Sequence, residues 1–292
     1  MKKIKILLFV ILGFLILITP ITVRANMAAP KPNDVGTTIV FEKNDSINVT
    51  KEILDIRVNE LTANISAVYY MKNIKNEDVK TESMFISPNI ENSKVIVEAN
   101  NKPLDYNVDP YYIIYDPKIV TEDWKYVVLE KDGDPNYDLG IQTISFSLEF
   151  APLEEVIVRV NYDYRLGGRP ERIDDSKYAE IKYYLLPAGM WNGFTDLTIN
   201  LYLDDSLPLL EESSLNFTHV KDNQYEYKSN QLPKTNLELR LNRNGWQSFW
   251  AQFHNPLFIV TFIGITLISL LIIISTIILS VVLVKKHKKL YK

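Results

Sequence analysis

Apolar and polar side chains alternate through most of the middle of this chain. Between Leu61 and Met71 the odd positions carry Leu, Ala, Ile, Ala, Tyr and Met. Ile144, Phe146, Leu148 and Phe150 point away from Thr143, Ser145, Ser147 and Glu149. Val156, Val158, Val160, Tyr162 and Tyr164 alternate with Ile157, Arg159, Asn161 and Asp163. Leu197, Ile199, Leu201 and Leu203 repeat the pattern, as do Leu237, Leu239 and Leu241. A period of two turns one face of each segment toward a core, which predicts half-buried strands. No stretch between the termini has a convincing helical period.

Parity breaks once in an informative place. Ile47 and Val49 share one face, whereas Leu54, Ile56 and Val58 fall on the other, so a bulge or bend near Lys51–Glu52 is expected. Asn100-Asn101 has the composition of a two-residue hairpin turn. A long hairpin is expected from 141–150 and 155–164, joined through Ala151-Pro152-Leu153-Glu154. The predicted fold is therefore all-β, with two antiparallel, immunoglobulin-like β-sandwich units over 36–109 and 110–244. Pro187, Gly189 and Gly193 flank Trp191 between two alternating segments, which predicts a corner with the indole folded over the end of the sandwich.

The two ends follow different rules. MKKIK, an apolar run of 14 residues and PITVRAN predict a secretory signal peptide over 1–25, cleaved after Ala25, with an uncleaved signal anchor as the alternative. A linker over 26–35 would follow. Near the other end, 29 residues from Pro256 to Val284 carry no charge, enough for a membrane-spanning helix over 256–284. The tail KKHKKLYK, 285–292, places Lys285 and Lys286 at the cytoplasmic membrane surface by the positive-inside rule. A single-pass, type I cell-membrane protein is expected. Just before the span, in 245–255, Trp246, Phe249, Trp250 and Phe253 fall at i, i+3, i+4 and i+7. They predict an aromatic stripe at the outer headgroup layer, with Asn255-Pro256 starting the span. Thr276 and Ser280 have the small-xxx-small spacing of helix pairing, which makes a homodimer a candidate state.

Charge narrows the partners. Setting aside nine basic residues in the two terminal segments leaves 23 of the 32, against all 36 acidic residues, a balance of −13. Such a body repels nucleic acid. The chain has no cysteine, which excludes disulfides and lipid attachment through a processed cysteine. With its richness in Asn, Ile and Lys, this points to a bacterial surface without an outer membrane. The lipid bilayer is the first expected partner, and another protein or cell-envelope component the second.

Candidate chemistry is sparse. His219 is the one histidine away from the membrane segment, so nucleophilic triads and catalytic zinc lack their residues. A pair of carboxylates acting on glycosides stays open, and no enzyme is otherwise expected. Asp132, Asp134, Asn136 and Asp138 place oxygens at alternate positions, like the start of a calcium loop, but Tyr137 and Thr143 stand where glycine and glutamate are needed. Calcium is thus the single cofactor candidate, beside the simpler reading of an acidic turn. Trp124, Trp191 and Tyr183 are candidate rings for stacking on a carbohydrate. RLGGRPERIDDSK, 165–177, lacks a strand pattern and is expected to be a mobile connector, with partner binding as its alternative role.

Several passages resemble a family of secreted bacterial β-sandwich proteins known only as a domain of unknown function. They are VGTTIVFEKNDSINVTKEILDIRV, MFISPNI, FSLEFAPLEEVIVRVNYDYRLGG and YYLLPAGMWNGFTDLTINLYL. Phe150-Ala151-Pro152 and Gly189-Met190-Trp191-Asn192-Gly193 depart from that family's Phe-Pro-Ala corner and Gly-x-x-Trp-x-Gly turn in order or spacing. The resemblance implies a sandwich and a structural corner, with no activity attached. The functional expectation is a membrane-anchored surface protein for interaction or scaffolding. A carbohydrate- or calcium-dependent ligand-binding module is the alternative.

Overall fold

A computed structural model describes residues 30–32, 38–41, 43–115, 127–132, 134 and 139–290. The expected signal peptide lies outside the described residues. In chain order the first strands are β1 (Pro30–Pro32), β2 (Thr38–Phe41), β3 (Asn44–Asn59), β4 (Thr62–Asn73), β5 (Val79–Ser87) and β6 (Ile90–Ala99). Next come β7 (Lys102–Pro103), β8 (Asn107–Tyr115), β9 (Val127–Glu130), β10 (Leu139–Phe150), β11 (Glu155–Arg165) and β12 (Gly167–Gly168). The remainder are β13 (Tyr178–Tyr183), β14 (Trp191–Asn192), β15 (Asp196–Tyr202), β16 (Leu209–Ser213), β17 (Thr218–Lys221), β18 (Gln224–Ser229) and β19 (Leu237–Asn242). Helices α1 (Gly245–Ala251) and α2 (Pro256–Leu290) close the chain. The protein is thus mostly β, with one apolar C-terminal helix.

The strands form three sheets. The largest runs β17-β18-β15-β3-β4-β11-β6-β7, with β14 beside β3. A second runs β1-β2-β9-β8-β10-β5, and a small one β12-β13-β19-β16. Three features depart from the pattern expected above. Strands from both sides of residue 110 share the first two sheets, and β8 spans the proposed boundary itself, so the strands do not pair as units 36–109 and 110–244. The large sheet is mixed, because β14 and β15 run parallel to β3. Pro30–Pro32, expected in a linker, pairs with β2 at a sheet edge, where a proline's missing N–H costs no ladder bond.

The expected β10–β11 hairpin is also replaced. β10 pairs with β5 and β8, whereas β11 pairs with β4 and β6, so the chain crosses from one sheet to the other at Ala151–Glu154. Leu153 takes a left-handed conformation (φ 59°) there. Asn73, fully buried at the end of β4, holds the crossing: its Nδ2 donates to the carbonyls of Glu77 (2.8 Å) and Ala151 (2.9 Å). Alternation reports which face of a strand is buried, not which strand lies beside it. Facing each other across the core satisfies both patterns as well as lying side by side would.

Other local expectations are met. The β3–β4 register shifts between Val49 and Lys51, the bulge that reconciles Ile47 and Val49 with Leu54, Ile56 and Val58. All five of these side chains are buried. Asn100 and Asn101 both have positive φ (50° and 62°) and connect β6 to β7, as a type I′ turn requires. One continuous core joins the three sheets. Phe85 of β5 meets Tyr162 of β11 at 5.2 Å and Tyr183 of β13 at 5.9 Å between ring centroids, both edge-on. A smaller cluster around Met84, Ile86, Tyr111, Ile113 and Ile141 covers the other face of the second sheet. Ser83 to Ser87 is accordingly buried at every position.

Candidate functional site

The bulge in β3 has a chemical consequence. By flipping the parity it turns Glu52 inward, opposite Tyr69 of β4, with none of its surface exposed. The Tyr183 hydroxyl donates to Glu52 Oε1 at 2.8 Å, and the Tyr69 and Tyr183 oxygens lie 3.0 Å apart. The two phenols and the acid thus form one buried hydrogen-bonded cluster. Glu52 Oε2 makes no hydrogen bond among the described residues. Burial pushes the carboxyl up to about 7, against the bonds from Tyr183 and Tyr69 that favour its charged form. Burial and the neighbouring Glu52 charge hold both phenols well above the ordinary tyrosine range. The cluster binds a proton near neutrality, yet it presents no oxygen to solvent. Among the described residues Glu52 is the one buried acid, without the second facing carboxylate that a glycosidase pair uses.

Sequence reasoning missed Glu52, although the parity of Leu54, Ile56 and Val58 placed position 52 on the inward face. Tyr183, expected as a stacking ring, is instead a buried hydrogen-bond donor within this cluster. Trp191 is 2% exposed and belongs to the main core. These two burials correct the carbohydrate-stacking assignment, because a buried ring offers no face to a sugar. Trp124 lies outside the described residues. Asp132 and Asp134 are exposed, and Asn136 and Asp138 lie outside the described residues, as does the question of a calcium loop built from all four.

The corner around Trp191 is built from a 3₁₀ turn over Leu186–Met190, followed at once by β14 alongside β3. Buried Asn236 caps it, its Oδ1 accepting from the backbone N–H groups of Leu185 (3.0 Å) and Leu186 (3.1 Å). Gly193 then turns the chain at φ +70°, and a Cβ there would lie 2.8 Å from Asn48 Cγ. Gly193→Ala is expected to destabilise the protein by about 2 kcal/mol, combining backbone strain with that clash, and a thermal melt would detect it. An unchanged melting temperature would mean the turn is not required.

The connector 165–177 is more ordered than its composition suggests. Gly167 and Gly168 pair with Glu180 and Ala179. Arg243 Nη1 donates to the carbonyls of Ile173 (2.9 Å) and Asp174, which ties the loop to the end of β19. Ser176 and Arg172 hold the Asp174 carboxyl below its usual range, through hydrogen bonds from the backbone and hydroxyl of Ser176 and an ion pair with Arg172 at 3.2 Å.

At the membrane-proximal end the sequence was legible. Asn244 and Gln247 form a capping box on α1. Asn255 Oδ1 accepts from Leu257 N at 3.0 Å, so Asn255 caps α2 with Pro256 in its first turn. Trp246, Phe249, Trp250 and Phe253 form a continuous ladder of ring contacts, extended by Phe258 and Phe262 into α2. Trp246 is 69% and Trp250 51% exposed, so the stripe is turned outward rather than packed on the sheets. From Pro256 to Leu283, α2 is long and apolar enough to cross a membrane, and none of it is buried against the body. Lys285 and Lys286 lie in its last turns. Thr276 and Ser280 spend their hydroxyls on the helix's own carbonyls of Ile273 (2.7 Å) and Thr276 (2.8 Å).

No protein-family model matches this chain, and no curated protein matches it in sequence. Among solved structures, a putative nutrient-binding protein from Legionella pneumophila is similar at a TM-score of 0.47 and 13% identity, over 74% of this chain and 72% of that one. Yeast LTA4 hydrolase gives 0.39 and 10%, over 67% and 29%. A two-domain M1 zinc metallopeptidase bound to L-tryptophan gives 0.35 and 10%, over 69% and 44%. The chain thus spans less than half the length of the last two structures. Likenesses this distant carry no argument about what the chain does.

Proposed function

We propose that this chain is a bacterial cell-surface protein whose β body stands outside the membrane, held by α2, and serves as an interaction or scaffold protein. The observation that carries the reading is α2 itself, whose first 28 residues are apolar and unburied and join the body through an outward-facing aromatic stripe. A helix with no polar face and no protein cover is stable in hydrocarbon and not in water. The lysine-rich tail favours a cytoplasmic end, which leaves the acidic body outside. An acidic surface on a rigid β frame suits a protein or cell-envelope partner rather than nucleic acid.

Two arms test this. A chain ending after Asn255 should leave the membrane fraction for the medium, while the full chain resists extraction by alkaline carbonate. A membrane-impermeant crosslinker on intact cells should then join the full chain to a discrete envelope component. Carbonate extraction of the full chain would refute the anchor. A full chain that stays monomeric after crosslinking would refute the interaction role.

A further inference from the structure

A groove of about 470 Å³ lies between α1 and the loops carrying Ile173 and Ser206. Ile173, Ser206, Arg243, Trp246, Trp250 and His254 line it, and no carboxylate does. That is unusual for a body carrying an excess of 13 acidic groups. One wall is apolar and open, with Ile173 65%, Trp246 69% and Trp250 51% exposed. The other is cationic. Arg243 commits Nη1 to the carbonyls of Ile173 and Asp174, which fixes its plane and leaves its Nε and Nη2 hydrogens without a hydrogen bond among the described residues. Lys177 stands behind it, Nζ donating to Ser206 Oγ at 3.3 Å, and burial together with the Arg243 charge pulls Lys177 below the usual lysine range. Acids stand beside this wall without lining it: Asp174, paired with Arg172, also lies in the field of Arg243, and Asp204 and Glu60 in that of Lys177. Gln247 fastens the helix side of the groove to the body through the carbonyl of Asp205 (2.6 Å).

Position selects the ligand. His254 is two residues from Pro256, at most about 7 Å of chain from the start of α2. That distance matches the headgroup layer, about 5–8 Å deep on each side of the hydrocarbon. We propose that the groove binds one phospholipid of the leaflet that meets α1, with its phosphodiester held by Arg243 and His254. Its glycerol and upper acyl chain lie against Trp246, Trp250 and Ile173. The inference rests on α2 as the membrane anchor and adds a specific lipid site to it. Such a site would fix the tilt of the body over the bilayer, which an aromatic stripe with no bound headgroup does not.

The test uses the full chain reconstituted in phosphatidylcholine–phosphatidylglycerol vesicles that contain a photoreactive phosphatidylglycerol with its diazirine near the glycerol. Vesicles are floated, irradiated and the labelled peptides mapped. Label is expected on 243–254 as well as on α2. His254→Gln combined with Trp250→Ala should lower the groove label about tenfold, the equivalent of one hydrogen bond to a charged group. Label on α2 should stay constant as the internal reference. A photoreactive diacylglycerol, which has no phosphate, should label α2 and spare the groove. A floating protein whose groove label is unaffected by the two substitutions, or is equally strong with diacylglycerol, overturns the lipid site and leaves the anchor standing. A chain that fails to float overturns both.

Discussion

Trp191→Ala is expected to destabilise the protein by about 3–5 kcal/mol, the cost of emptying a large aromatic site in a packed core. For a chain of this size that lowers the melting temperature by roughly 10 °C. The indole is 2% exposed and sits in the main core at the point where the 3₁₀ turn hands over to β14. Its Nε1 has no hydrogen-bond partner among the described residues. Trp191→Phe therefore discards an unpaired donor along with some volume, and about 1 kcal/mol or less of net change is expected. Thermal unfolding of the two variants in detergent micelles separates a plug from a ligand contact. A ligand-stacking tryptophan would give two melts like that of the wild type.

The second large effect concerns pH. With Glu52 held at about 7 when folded, against 4.5 for a free carboxyl, the folded state holds its proton more tightly than the unfolded one. The stability this proton confers is complete below pH 4.5 and is lost as the pH rises through 7. The displacement corresponds to about 3 kcal/mol. Glu52→Gln keeps an oxygen to accept from Tyr183 but never ionises. The gap in unfolding free energy between wild type and variant should therefore shift by about 3 kcal/mol in the variant's favour between pH 4 and pH 8. Chemical denaturation at a series of pH values measures it, and taking the difference cancels the surface carboxylates. Parallel curves would mean that burial does not raise the Glu52 carboxyl as described.

Much of this was legible in the sequence because it is local. The alternation from Leu197 to Leu203 and from Val156 to Tyr164 marked buried faces, and the parity break at Lys51–Glu52 marked the bulge. The cap Asn255 and the apolar run of α2 depend on neighbours a few residues away, and the capping box of Asn244 and Gln247 was as local but went unread. Strand partnership is different, because β10 and β11 satisfy the same pattern whether adjacent or opposed. What decided between them was the distant pairing with β5, β8, β4 and β6, together with Asn73 at the crossing. Glu52 was overlooked because a charged residue is usually placed outside by type. Here its position in the strand outweighed its chemistry, and Tyr183, arriving from 131 positions away, made the burial tolerable. The connector 165–177 looked loose for the same reason, since the Arg243 that ties it down lies about 70 residues further on.

The anchored, outward-facing arrangement is tested most directly by adding trypsin to intact cells that express the full chain. The account predicts cleavage within 43–244 while the lysines of 285–292 stay protected until the membrane is permeabilised. Loss of those last eight residues from intact cells, with the β body spared, would contradict it.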